Sequence, residues 1–123
     1  MSNMTPGSIG WHDLTVPDAE GVRDFYAGVV GWTAEALDMG GYSDFCMQAD
    51  GQTVAGVCHA RGANAAMPAL WMMYVIVEDL EAALARVREL RGEVVTEQRA
   101  AGGGTFAVIR DPAGAVCGLY QAG

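Results

Sequence analysis

Three side chains that can accept or donate protons lie inside apolar stretches of this chain. His59, one of 2 histidines in the sequence, ends the run TVAGVCHA, and Asp13 and Tyr74 each interrupt another apolar stretch. Imidazole, carboxylate and phenol groups act as general acids or bases, and a carboxylate among apolar residues is costly unless it is paired or used. We therefore take Asp13, His59 and Tyr74 as candidate catalytic residues. For each of them, the alternative is a hydrogen-bonded structural residue of a strand.

Two segments of the chain repeat one plan at a spacing of 61 residues. DLTVPDAEGVRDFYAGVVGW and YVIVEDLEAALARVRELRGE each combine an alternating strand, an acidic helix start, an amphipathic helix and a glycine. Asp18 and Asp79 are predicted to cap the two helices, because a carboxylate accepts the free N–H groups of a first turn. Gly31 and Gly92 are predicted to end them in the left-handed conformation that glycine adopts without strain.

Three extended stretches follow each predicted helix. They span roughly residues 32–37, 42–49 and 53–60 in the first half, and roughly 93–98, 105–111 and 116–121 in the second. The sequence therefore predicts an α+β protein made of two βαβββ modules, at about 8–60 and 69–121, within a single domain over residues 1–123.

This tandem arrangement resembles the vicinal oxygen chelate superfamily, which includes glyoxalase I, bleomycin-resistance proteins and extradiol dioxygenases. The resemblance rests on the pattern D-x-x-x-x-x-x-F-Y in the first helix, formed by Asp18, Phe25 and Tyr26, and on R-D-P-x-G over residues 110–114. It implies tandem modules that form curved, cleft-enclosing mixed sheets, with the helices on the convex side.

The resemblance also implies four positions for metal ligands, two in each module. In metal-dependent members a divalent ion at these positions polarises the oxygens of the substrate. Here the four positions hold Trp11, His59, Met72 and Gln121. Among them His59 is a good metal ligand and Gln121 a weak neutral one, and none is a carboxylate. We expect no cofactor and no metal. If a divalent metal does bind, His59 and Gln121 are its expected ligands.

The repeat register predicts one concave cleft that gathers the candidate residues. Asp13 and Tyr74 occupy equivalent positions on the first strands, and His59 and Gln121 occupy equivalent ends of the last strands. The loop over residues 38–44 is expected at the rim. The expected substrate-binding walls are Trp11, Val57, Met72, Leu119 and Gln121. Such mostly apolar walls suit a flat or aromatic small molecule.

The second histidine is not expected in the cleft. Successive side chains of a strand point to opposite faces, so His12 lies on the face opposite Asp13. Leu14 shares the face of His12 and belongs against the helices. A one-residue bulge would reverse this arrangement and bring His12 beside His59.

Three functions are compatible with these residues. The first is a small-molecule-binding member of the superfamily without a metal, which could act as an atypical enzyme through proton transfer by Asp13, His59 and Tyr74. The second is a metal-dependent glyoxalase-type lyase, similar to lactoylglutathione lyase, or a dioxygenase. The third is a non-catalytic resistance protein that sequesters a toxin or antibiotic. The sequence alone does not separate them.

Charge and composition limit the partners. The formal net charge of −8 disfavours nucleic acid, and no apolar run is long enough for a membrane span. The polar start over residues 1–10 carries no visible secretion signal, so a cytoplasmic location is expected. The 3 cysteines are expected to be reduced. By resemblance to short two-module members, we expect a homodimer.

Overall fold

The computed structural model describes residues 4–123, so part of the polar start lies outside the described residues. The elements run, in order, β1 (Ile9–Val16), α1 (Ala19–Val30), β2 (Thr33–Asp38), β3 (Ser43–Ala49), β4 (Gln52–His59), a 3₁₀ turn (Gly62–Asn64), β5 (Trp71–Ile76), α2 (Leu80–Glu89), β6 (Glu93–Ala101), β7 (Gly104–Arg110) and β8 (Val116–Gln121). This βαβββ–βαβββ order confirms the predicted α+β fold. The chain divides into two compact units, residues 12–71 and residues 4–11 with 72–123.

The first unit is a four-stranded sheet with α1 packed on one face. Its strands follow the order β2-β3-β4-β1, in which β1 and β4 are parallel and the other pairs are antiparallel. Apolar side chains of the sheet meet α1 in a core formed by Leu14, Val16, Ala19, Phe45, Met47, Ala55 and Val57. We call the opposite side of this sheet the helix-free face; it carries Asp13, Thr15, Asp44, Cys46 and Cys58.

The ends of α1 follow the predicted capping chemistry. The side chain of Asp18 accepts the N–H of Gly21 at 3.0 Å, which satisfies one free donor of the first turn. Gly31 ends the helix at φ 85°, and its N–H bonds to the carbonyl of Ala27 at 3.0 Å. The local sequence alone therefore defines this helix.

The second unit repeats the arrangement, with the strand order β5-β8-β7-β6 and with β5 and β8 parallel. Its helix α2 packs on one face in a core formed by Leu80, Leu84, Ala107, Ile109 and Leu119. The side chain of Asp79 caps this helix by accepting the N–H of Ala82 at 3.1 Å, as predicted.

The prediction that Gly92 is the left-handed residue after α2 is wrong by one position in the chain. Arg91 takes the left-handed conformation, at φ 71°, whereas Gly92 does not. A Cβ on Gly92 would lie 2.8 Å from Val87 Cγ1 and 3.0 Å from the carbonyl oxygen of Arg110. Glycine is needed here because the backbone passes close to α2 and β7, and not for a positive φ.

The described residues also bear on membrane-spanning helices and on the state of the cysteines. Within residues 4–123, no helix is long and apolar enough to cross a membrane. Cys46, Cys58 and Cys117 are free thiols, each partly buried.

Candidate functional site

A buried carboxylate at the start of β3 organises the polar groups of the first unit. Asp44 is only 9% exposed. Its Oδ1 accepts the backbone N–H of His59 at 2.8 Å and lies 3.2 Å from His59 Nδ1. Because an ionised carboxylate can only accept hydrogen bonds, Nδ1 carries the proton in this contact and Nε2 is left as an acceptor. Asp44 therefore orients the imidazole of His59.

Cys58 lies next to Asp44 on the helix-free face. The pKa of its thiol is raised far above the ordinary range, mainly by burial and further by the negative charges of Asp13 and Asp44 and a hydrogen bond to Asp44. Burial, with a smaller effect of the Glu35 charge, also raises the pKa of Cys46. Both thiols therefore stay neutral, and neither is an activated thiolate nucleophile.

The strand register separates Asp13 from His59. In the parallel pair of β1 and β4, Asp13 lies beside Gly56 and Val16 lies beside His59, without a register shift between them. Because side chains alternate along each strand, Asp13 lies on the helix-free face and His59 lies on the side of α1. The prediction that these two residues line one surface is therefore wrong. His12 is exposed on the side opposite Asp13, as predicted.

Val57 and Leu119 are core residues. Val57 is completely buried in the first unit beside α1, and Leu119 is 8% exposed in the second unit beside α2. Both were predicted as walls of a ligand cleft. This is wrong for Val57, which has no exposed surface; Leu119 also lines an apolar pocket beside α2, and its role in binding stays a prediction. Each lies at a strand position that faces its helix, because packing against that helix buries the apolar side of the sheet.

Gln121 serves as a cap of α2. Its side-chain Oε1 accepts the N–H of Leu80 at 2.7 Å, at the first residue of the helix. Gln121 shares the helix side of β8 with Leu119, whereas Tyr74 pairs with Gly118 on the opposite side. The second unit thus separates Gln121 from Tyr74 in the same way as the first unit separates His59 from Asp13.

The remaining predicted residues are placed as follows. Tyr74 is 7% exposed, lies over Gly118 and makes an edge-to-face contact with Phe106 at 5.9 Å. Met72 is almost fully buried on the same side of β5. Trp11 is partly buried, on the side of β1 that carries Asp13. The roles of these residues in binding or catalysis stay predictions.

The residues present do not fit the divalent-metal site that the resemblance implies. His59 Nδ1 faces Asp44, and Gln121 Oε1 is used by the backbone of α2. Within residues 4–123, no group of three or more His, Cys, Asp or Glu side chains is placed to hold a metal ion. A bound transition metal normally needs at least three protein ligands, so we derive no chemical step through a metal.

Sequence reasoning missed the group around His59. The edge of the Tyr42 ring lies against the imidazole, with 5.5 Å between ring centroids, and the guanidinium of Arg61 lies 3.9 Å from the centroid of Tyr42. Asp44 and Tyr42 come from the segment YSD, which was expected only at the rim of a cleft. An aspartate directly before the apolar run FCM at residues 45–47 was the available signal.

Comparisons with known proteins agree with this architecture. A family model described as a glyoxalase-like domain matches residues 12–119. The anthracycline biosynthesis protein DnrV of Streptomyces peucetius is 34% identical over 100% of this chain and 50% of its own length. The chain spans about half the length of the curated relatives it matches.

Two solved structures show the same fold at low sequence identity. Methylmalonyl-CoA epimerase from Mycobacterium tuberculosis has a TM-score of 0.58 and 17% identity, covering 100% of this chain and 93% of that one. A glyoxalase/bleomycin resistance protein/dioxygenase superfamily member from Vibrio splendidus 12B01 has a TM-score of 0.56 and 17% identity, covering 90% and 95%. With the family match over residues 12–119, these findings confirm the predicted superfamily: the chain belongs to the glyoxalase-like domain family.

Proposed function

We propose that the chain binds a small aromatic molecule on the helix-free face of its first unit, without a metal ion. The observation that carries this proposal is the polarity of that face. Within the described part of the chain, the buried polar residues are Thr15 and Asp44, and both belong to this face. Asp44 is hydrogen-bonded to His59 at the end of this face. Asp13 and Thr15 add a carboxylate and a hydroxyl to the same face, which gives it convergent polar groups for a ligand.

The relatives suggest the class of ligand. DnrV is named for anthracycline biosynthesis, and anthracyclines are flat polycyclic compounds that carry hydroxyl and carbonyl groups. The carboxylate of Asp13 and the hydroxyl of Thr15 offer an acceptor and a donor for such groups. We therefore propose a hydroxylated polycyclic aromatic ligand, with Asp13 as its main polar contact.

A titration with daunorubicin tests this proposal. We expect saturable binding, seen as quenching of the ligand's fluorescence. Asp13→Asn is expected to weaken binding by about tenfold to a hundredfold, because a hydrogen bond to a charged group contributes roughly 1.5–3 kcal/mol.

His12→Asn is the matched control, since His12 is the neighbouring residue on the opposite side of β1. It should bind like the wild type, and circular dichroism should show that both variants are folded. No saturable binding to the wild type, or equal losses in the two variants, would contradict the proposal.

A metal-dependent glyoxalase-type lyase is the second candidate, favoured by the description of the family model. We expect elemental analysis of dialysed protein to find no stoichiometric Zn, Ni, Fe or Mn, because His59 and Gln121 are already hydrogen-bonded and no group of three or more His, Cys, Asp or Glu side chains within residues 4–123 is placed to hold a metal. One retained equivalent of any of these metals, with turnover of the hemithioacetal of methylglyoxal and glutathione, would establish the lyase instead.

The other expectations from the sequence remain proposals. They are a homodimer, for which light scattering is the direct measurement, a cytoplasmic location, and a role in sequestering a toxin without chemistry. Proton transfer between Asp13 and His59 by direct contact is not part of the proposal, because the two side chains lie on opposite faces of the sheet.

A further inference from the structure

We infer that His59 is a general base for an acidic hydroxyl group, a phenol or an enol, with Asp44 as its positioning residue and Arg61 as the binder of the resulting anion. We call the group Tyr42, Asp44, His59 and Arg61 the His59 site. It lies at the end of β4, within the first unit. His59 points to the side of the sheet opposite the helix-free face, so its proton transfer needs no ligand on that face; Asp44, at the start of β3, borders both sides.

The hydrogen bonds of Asp44 prepare His59 for this role. Oδ1 of Asp44 holds both the backbone N–H and Nδ1 of His59, at 2.8 and 3.2 Å. This leaves Nε2 as the proton acceptor, and the neighbouring carboxylate stabilises the imidazolium that forms when Nε2 takes a proton. The side chain of His59 is 14% exposed, so part of the ring reaches the surface of the first unit.

The surroundings of His59 suit a planar ring. The imidazole has the ring of Tyr42 edge-on at 5.5 Å and the ring of Phe45 at 6.3 Å between centroids. Aromatic walls of this kind bind flat molecules through edge-to-face and offset contacts. A phenol, or an enol conjugated with an aromatic ring, has the shape that these side chains accept.

Two arginines of this acidic chain lie over aromatic rings next to His59. Of the 7 basic residues in the sequence, Arg61 lies over the Tyr42 ring at 3.9 Å and Arg23 lies over the Phe45 ring at 4.5 Å. Arg23 is paired with Asp24. Within residues 4–123, Arg61 has no carboxylate within ion-pair distance. Its guanidinium is therefore available to bind a phenolate or enolate oxygen.

The proton-transfer step is balanced without a co-reactant. The O–H bond of the ligand breaks, its proton forms a bond to Nε2 of His59, and the electron pair stays on the ligand oxygen. The positive imidazolium lies against the Asp44 carboxylate, and the negative oxygen is bound by Arg61. Return of the proton to the oxygen restores the site; if the anion leaves instead, Nε2 of His59 passes its proton to water.

The probe for this inference is 4-nitrophenol, whose phenolate absorbs visible light. At a pH below its own ionisation, we expect excess protein to increase the phenolate absorbance and to shift the ¹⁵N resonances of His59. His59→Gln should abolish the absorbance change, and Arg61→Gln should weaken it by about tenfold, as expected for the loss of one charge-assisted contact. His12→Gln is the matched control and should behave like the wild type.

A second measurement separates a positioning role of Asp44 from a structural one. In protein with ¹⁵N-labelled histidine, the neutral His59 ring of the wild type should carry its proton on Nδ1. Asp44→Asn should shift the ring towards the Nε2-protonated form and reduce phenolate formation by about tenfold. An Nε2-protonated ring in the wild type, or full phenolate formation in His59→Gln, would overturn the inference. If His59→Gln does not fold, the wild-type tautomer and the Arg61→Gln titration decide it.

Discussion

Replacing Leu119 with alanine is expected to lower the free energy of unfolding by about 2–5 kcal/mol, the usual cost of truncating a large apolar side chain in a core. Leu119 is 8% exposed and packs with Leu80 and Leu84 under α2. Urea denaturation followed by circular dichroism measures the change. If Leu119 were instead a wall of a ligand pocket, the substitution would weaken ligand binding and change stability little.

Leu90→Ala is the matched control for this prediction. Leu90 belongs to the same unit but is 61% exposed, and exposed positions usually change stability by less than about 0.5 kcal/mol. A Leu119→Ala variant that loses no more stability than Leu90→Ala, less than about 0.5 kcal/mol, would show that Leu119 does not lie in the core that the structure places it in.

Gly118→Ala is expected to destabilise the protein by about 1–3 kcal/mol through overpacking. A Cβ on Gly118 would overlap the ring of Tyr74, which is 7% exposed and also packs against Phe106. The ring has little room to move, so the strand or the ring must shift. Thermal and urea unfolding of the variant measure the cost.

Gly28→Ala is the companion variant, with the opposite expected sign. Gly28 lies inside α1, and a Cβ there would meet no atom within 4 Å. Alanine in a helix interior is more favourable than glycine by roughly 0.5–1 kcal/mol. A stabilised Gly118→Ala variant would contradict the packing of Tyr74 over Gly118.

The unfolding measurements on Leu119→Ala and Gly118→Ala also bear on the candidate site. Leu119 and Tyr74 were both predicted to face a ligand, Leu119 as a wall and Tyr74 as a proton-transfer group. Their packing gives each of them a structural role that accounts for its burial. In the first unit, by contrast, Asp44 brings titratable side chains into contact, since it bonds both His59 and Cys58.

Local signals in the sequence were enough to define the elements and their order. Alternation within strands, helical spacing in α1 and α2, and capping by Asp18 and Asp79 all act over a few residues, so they can be read without knowing which strands pair. The repeat at 61 residues then indicated two modules and the superfamily. The same local reasoning failed at Gly92, because close packing and a positive φ both favour glycine at a helix end.

Tertiary structure decided which residues lie together at the site. Whether Asp13 and His59 share a face depends on which residue of β1 pairs with which residue of β4, and a shift of one residue reverses the answer. In the run TVAGVCHA both alternating sets contain apolar residues, so the pattern did not identify the core side. The contacts of Asp44 with His59 and of Gln121 with Leu80 join residues 15 and 41 positions apart. Such contacts form only when strands and helices pack, because no local preference of the chain brings these atoms together.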